Sequence, residues 1–131
     1  MNKLILIGLL CFIGVHVVAQ HPLNILREEV MIPMRDGVKL GAIAYRPERP
    51  GKFPAIVYRT PYGVDDYDGY AEFPLKAAKQ GYIVFLVDVR GRLRSEGDFE
   101  AYRNEKKDGY DVIEWVAQQT YCTGKVGTYG G

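Results

Sequence analysis

A chain of 131 residues with 17 Lys+Arg against 16 Asp+Glu has no charge excess that would select nucleic acid or an acidic partner. Hydrophobic residues make up 47% and charged residues 25%, which suits one packed domain and excludes a disordered tail. Tyrosine is the one heavily used residue type, with ten copies, and it serves wet clefts as well as core edges.

The chain opens on a segment unlike the rest. Lys3 precedes an apolar run from Leu4 to Val18, and Val17-Val18-Ala19 supplies branched and small residues around a cleavage point after Ala19. Residues 1–19 are therefore expected to be a secretory signal peptide, making the protein secreted or periplasmic with no stable membrane anchor after cleavage. A membrane anchor is the competing interpretation, but the run is short against the ~18–20 apolar residues of a spanning helix. Cys11 follows Leu9 and Leu10, where lipidation favours small residues. Cleavage would leave Cys122 as the single cysteine, so no internal disulfide is expected and stability must come from packing.

After the linker Gln20–Asn24 the pattern turns to strands. Val30–Met34 and Val38–Tyr45 flank Asp36-Gly37, a hairpin signal in which both turn residues can take positive φ. Arg46–Gly51 is a loop, and Phe53–Tyr58 a largely buried strand that opens at Pro54. A short helix is expected from about Phe73 to Gln80, with Pro74 in its first turn and Gly81 at its C-terminal cap. Tyr82–Val87 is the most hydrophobic stretch after the leader, the pattern of a strand covered on both faces in the middle of a parallel sheet. A polar loop leads to a second helix from about Asn104 to Gln119. Val112, Ile113 and Val116 lie at helical spacing there, and Glu105, Lys106, Asp108 and Gln118 are left for solvent. Thr123-Gly124 turns the chain into a last strand, Lys125–Tyr129. A hairpin followed by strands that alternate with helices predicts an α/β fold with parallel strands and crossover helices.

Several constellations could carry chemistry. Gly127-Thr128-Tyr129-Gly130-Gly131 is a strand running into two glycines. In an α/β-hydrolase such a strand ends in the strained turn Gly-x-Ser-x-Gly, which lifts a serine oxygen above the sheet. Gly130 and Gly131 fit its first two places, with the serine expected next; a plain loop is the alternative for the dipeptide alone. Tyr62, just past a strand end, is a packing tyrosine of a turn or a hydrogen-bond donor on the rim where such sheets bind ligands. Asp88, Arg90, Arg92, Arg94 and Glu96 read as a structural ion-pair network, with an anion clamp for a substrate carboxylate as the competitor. Asp65, Asp66 and Asp68 read as solvated carboxylates, since no His or Cys at metal-ligand spacing accompanies them. His21 precedes the expected nucleophile, whereas the base of an α/β-hydrolase follows it. Cys122 has no histidine to activate it and is expected to be a buried or semi-buried thiol.

The ordered segments carry a resemblance. Pro33–Leu40, Pro54–Gly63, Asp88–Gly91 with Ser95–Phe99, Asp108–Trp115 and Cys122–Gly130 resemble the cocaine esterase-like and X-Pro dipeptidyl-peptidase-like serine hydrolases. That family also includes α-amino acid ester hydrolases and glutaryl acylases. The resemblance implies that residues 20–131 are the N-terminal part of an α/β-hydrolase catalytic domain that stops at the nucleophile elbow. It implies Ser-Tyr after Gly131, and a Tyr62 hydroxyl that donates to the oxyanion. It implies ester or amide cleavage through an acyl-enzyme on a small-molecule or short-peptide substrate, with no cofactor and no metal. The chain alone, without nucleophile, base or orienting acid, is then expected to be inactive. A noncatalytic secreted binding module that uses the Tyr/Asp-rich loop Asp65–Tyr70 is the other class of function. A nucleotide-binding domain is disfavoured, as no strand leads into a Gly-x-Gly-x-x-Gly turn.

Overall fold

The computed structural model describes residues 24–64 and 71–130. The leader, the acidic loop Asp65–Tyr70 and Gly131 lie outside the described residues. Five strands form one sheet: β1 (Ile25–Pro33), β2 (Lys39–Pro47), β3 (Phe53–Thr60), β4 (Ile83–Asp88) and β5 (Cys122–Tyr129). Helix α1 (Glu72–Lys79) joins β3 to β4, and α2 (Glu105–Ala117) joins β4 to β5.

The hairpin β1–β2 is antiparallel, with Pro33 opposite Lys39, so its connection is the loop Met34–Val38. Met34 N donates to Val38 O at 2.8 Å and Gly37 N to Met34 O at 3.0 Å. Only Gly37, at φ +87°, is left-handed; Asp36 is not, contrary to the two-residue turn expected from Asp-Gly. A longer loop built on an ordinary turn needs the left-handed conformation at one residue, and glycine supplies it without a Cβ clash.

The strand order is β1-β2-β4-β3-β5. Every residue of β4 is buried, as its apolar run predicts. Yet β4 is a seam and not the centre of a parallel sheet: it pairs parallel with β3 and antiparallel with β2. Continuous apolarity reports covered faces, which any interior strand has, and says nothing about neighbour direction.

The chain steps from β3 to β4, then back across β3 to β5. Crossovers of one hand that step in opposite directions place their helices on opposite faces. Side chains along β4 divide accordingly. Ile83, Phe85 and Val87 pack with Val112 and Val116 of α2, while Val84 and Leu86 pack with Ala77 and Ala78 of α1. Phe85 also meets Trp115 edge-on at a ring separation of 6.0 Å.

Two further expectations change. Strand β5 begins at Cys122, and the Thr123-Gly124 turn is an irregularity inside it: Phe53 faces Cys122 but Ala55 faces Val126. Asp108, assigned to solvent by helical spacing, is buried at 1% exposure. A carboxylate survives there because Arg90 reaches it across the core edge. Cys122 is a buried free thiol, as expected.

Candidate active site

The parallel strands β3, β4 and β5 end at one edge of the sheet. Thr60 lies opposite Asp88, and Tyr58 opposite Tyr129, so the last residues of the three strands are neighbours. The loop after β3 leads to one face and the loop after β4 to the other. Their divergence opens a crevice, the usual ligand position in such sheets. A cleft of about 480 Å³ occupies it, with Arg59, Tyr62, Arg92, Phe99, Tyr102 and Glu105 among its walls.

Local hydrogen bonds fix the loop that carries Tyr62. Thr60 is buried, and its Oγ1 accepts the Tyr62 backbone N–H at 3.1 Å. Two residues beyond Tyr62, Val64 inserts into the apolar cluster under α1. The Tyr62 side chain between these anchors is 82% exposed. Its hydroxyl has no hydrogen-bond partner among the described residues. Gly130, at φ +145°, follows the end of β5 beside the ring of Tyr58. Tyr62 and Gly130 thus share a sheet edge; Gly131 lies outside the described residues, as does the Asp65–Tyr70 loop.

Arg90 and Arg94 of the charged loop after β4 stand in ion pairs, the structural alternative of the two weighed, whereas Arg92 has no carboxylate partner among the described residues. The Arg90 guanidinium grips Asp108 through Nε at 2.9 Å and Nη2 at 2.7 Å, and meets Asp36 of the hairpin loop at 2.9 Å. One buried cation therefore ties the β4 exit to α2 and to the hairpin. Arg35 adds a second clamp onto Asp111 of α2, with its closest contact at 2.6 Å. Hydrogen bonds from Arg90 and Arg35 hold the carboxyls of Asp36 and Asp111 below the usual carboxylate range. The same contact with Asp108 raises the Arg90 pKa further above its ordinary value.

The rest of the loop is bound to β2 and β4. Ser95 Oγ donates to Asp88 O at 2.5 Å and accepts Gly41 N at 2.9 Å, and Glu96 accepts Lys39 N at 2.9 Å. Arg94 reaches Asp88 at 3.6 Å and Glu29 at 3.8 Å. At Gly91 the chain folds back so closely that a Cβ would lie 2.1 Å from Phe99 N. No side chain fits there, and φ of +68° favours glycine as well.

Sequence reasoning did not find Arg59, Phe99, Tyr102 or Glu105 as cleft residues. Arg59 Nη1 donates to Glu105 O at 3.1 Å and Nη2 lies 2.9 Å from the Glu105 carboxylate, bracing β3 against the start of α2. The last residue of β3 but one and the first of a helix beyond β4 give no signal at sequence separation; only the crossover brings them together.

A mixed sheet with helices on both faces and a cleft above the carboxyl ends of its parallel strands is the arrangement expected of the N-terminal part of an α/β-hydrolase. Solved structures agree. A CocE/NonD family hydrolase from Staphylococcus aureus superposes with a TM-score of 0.70 at 30% identity, over 81% of this chain and 22% of that one. An α-amino acid ester hydrolase superposes with a TM-score of 0.69 at 30% identity, over 87% of this chain and 22% of that one. Among curated proteins, the cocaine esterase of Rhodococcus sp. (strain MB1 Bresler) is 38% identical over 106 residues. That match covers 77% of this chain, which spans 18% of the relative's length. Residues 36–131 match the family described as X-Pro dipeptidyl-peptidase (S15 family). The chain belongs to that family of hydrolases.

Proposed function

We propose that this chain is the N-terminal part of the catalytic domain of an exported serine hydrolase that cleaves ester or amide bonds through an acyl-enzyme. The observation that carries the proposal is the register of β3 against β5, in which Tyr58 lies opposite Tyr129, so that the segments leading to Tyr62 and to Gly130 leave the same edge of the sheet. In the proposed reaction a serine directly after Gly131 attacks the acyl carbon. A histidine from later in the full protein takes its proton and an aspartate orients that histidine. Negative charge then develops on the carbonyl oxygen. The exposed Tyr62 hydroxyl donates to it, together with the backbone amide after the serine. Residues 1–19 act as the signal peptide that exports the enzyme.

The test uses the full-length protein from the complete reading frame, assayed with p-nitrophenyl esters. Tyr62→Phe should lower kcat by roughly 10²–10³, or about 3–4 kcal/mol, the effect of losing one oxyanion donor. KM should change little, because the donor acts on charge present only in the transition state. An unaltered kcat refutes the role of Tyr62. The 131-residue chain alone should give no turnover. Ester hydrolysis by it that a fluorophosphonate abolishes would refute its inactivity.

A further inference from the structure

Resting on that hydrolase reading, we propose that Arg92 is a positioning residue: its Nε–H holds the peptide group that carries Tyr62, and so keeps the Tyr62 hydroxyl aimed at the oxyanion. The peptide bond between Pro61 and Tyr62 is gripped at both edges. Its N–H donates to Thr60 Oγ1 at 3.1 Å, and its carbonyl oxygen accepts Arg92 Nε–H at 2.8 Å. A peptide group is planar, so hydrogen bonds on its opposite edges fix the plane from which the Tyr62 side chain departs. The side chain adds no hydrogen bond of its own among the described residues, and it is largely exposed. Its aim therefore depends on the backbone beneath it.

The donor is itself held. Arg92 stands at the tip of a loop closed by two turns, in which Arg92 N donates to Val89 O at 3.0 Å and Ser95 N to Arg92 O at 2.8 Å. Val89 and Ser95, at the feet of these turns, are both buried. The Arg92 guanidinium lies over the Phe99 ring at 5.2 Å, which limits its swing away from Pro61. The next residue reaches the same target loop. Leu93 Cδ2 lies 2.8 Å from where a Cβ on Gly63 would stand. Its backbone is left-handed, at φ +39°, a conformation that costs energy for a residue with a Cβ and persists only where the surroundings impose it. The two loops are thus strapped on either side of Tyr62, at Pro61 by Arg92 and at Gly63 by Leu93.

Such a strap suits an oxyanion donor. A donor stabilises developing charge because it is already in place, and the gain shrinks when it has to be ordered during the reaction. The neighbouring arginines end on carboxylates, Arg90 on Asp108 and Arg94 on Asp88, whereas Arg92 ends on a backbone carbonyl. Its contribution is the placing of a hydrogen bond and not the neutralising of a charge.

The experiment separates the donor atom from the rest of the side chain. In Arg92→Gln an amide nitrogen stands one bond beyond Cδ, where the Arg92 Nε stood, and can still donate. Arg92→Met puts a methyl group there and cannot. On the full-length protein with p-nitrophenyl esters, Arg92→Met should lower kcat about tenfold and change KM by less than about twofold. Arg92→Gln should keep kcat within about threefold of the wild type, as a neutral donor replaces a charged one. In a Tyr62→Phe background, Arg92→Met should lower kcat by less than about twofold more, because the hydroxyl it would misplace is gone. Equal losses in the two Arg92 variants, or a loss that persists undiminished in the Tyr62→Phe background, overturns the proposal. A readout independent of turnover is fluorine NMR of 3-fluorotyrosine placed at position 62. Arg92→Met should shift or broaden its resonance, and Arg92→Gln should leave it in place. If Tyr62→Phe leaves kcat unaltered, the role of Tyr62 in the hydrolase reading fails. The resonance then decides the positioning by itself: displacement in Arg92→Met alone upholds it, and an unmoved line overturns it.

Discussion

Asp108 shows how a single side chain escapes a sequence pattern. Its place on α2 follows the charged face, yet the partner that decides its burial is Arg90, eighteen positions away on another element. Breaking such a pair leaves the buried Arg90 with only the half-exposed Asp36, which is costlier than removing a surface ion pair. Asp108→Asn is therefore expected to destabilise the protein by about 3–5 kcal/mol. The measurement is the urea midpoint of the variant, and a loss under 1 kcal/mol would refute the argument. Lys76→Ala, which removes an exposed pair with Glu72 on α1, should change the same midpoint by no more than about 0.5 kcal/mol. Tyr62 was legible at this scale as a rim residue, because a strand followed by Thr60-Pro61 has to end there. The fixed edge of Arg92 was not, since the carbonyl and the ring that hold it come from different loops.

At the scale of elements, the interior strand was the most legible feature. Six consecutive buried residues in β4 allow no solvated face, so composition alone placed the strand inside the sheet. Its direction relative to β2 depends on where the hairpin docks. Helix α2 was legible through the spacing of Val112 and Val116, and its partner on the sheet was not. Phe85 is the contact between them, fully buried and edge-on to Trp115. Phe85→Ala removes a large ring from a site that cannot collapse, because β-sheet backbone lies on one side and α2 on the other. The expected loss is about 3–5 kcal/mol, visible as a lowered thermal midpoint by circular dichroism. Phe85→Leu keeps most of the volume and should cost clearly less.

Over the whole molecule, the hairpin, the β4 exit loop and α2 are locked together by two arginine–aspartate clamps. This makes acid sensitivity a property of the assembly. Asp36 and Asp111 have carboxyls held below their unfolded values, so each favours the folded state fully above the unfolded carboxylate pKa of about 4. That contribution is lost as the pH falls through the lowered folded values. The thermal midpoint should therefore drop between about pH 5 and pH 2. An Asp36→Asn, Asp111→Asn variant should be less stable at pH 7 and show a shallower acid dependence. Parallel pH curves for the two proteins would contradict the clamp.

The sequence by itself determined the periodicities, and with them the alternation of strands and helices, the buried central strand and the glycine-ended last strand. These are local consequences of where apolar side chains recur and where backbone freedom is needed. The ordered motifs carried the family resemblance and singled out Tyr62, Gly130 and Gly131. Tertiary structure decided what depends on distant residues meeting. It set the antiparallel seam at β4, the burial of Asp108 under Arg90 and the bracing of Arg59 by Glu105. It also formed the cleft in which Tyr62 and Arg92 share a wall. The seam rests on where the hairpin docks and the others on a crossover that reverses direction over β3, geometric facts that no window of neighbouring residues contains.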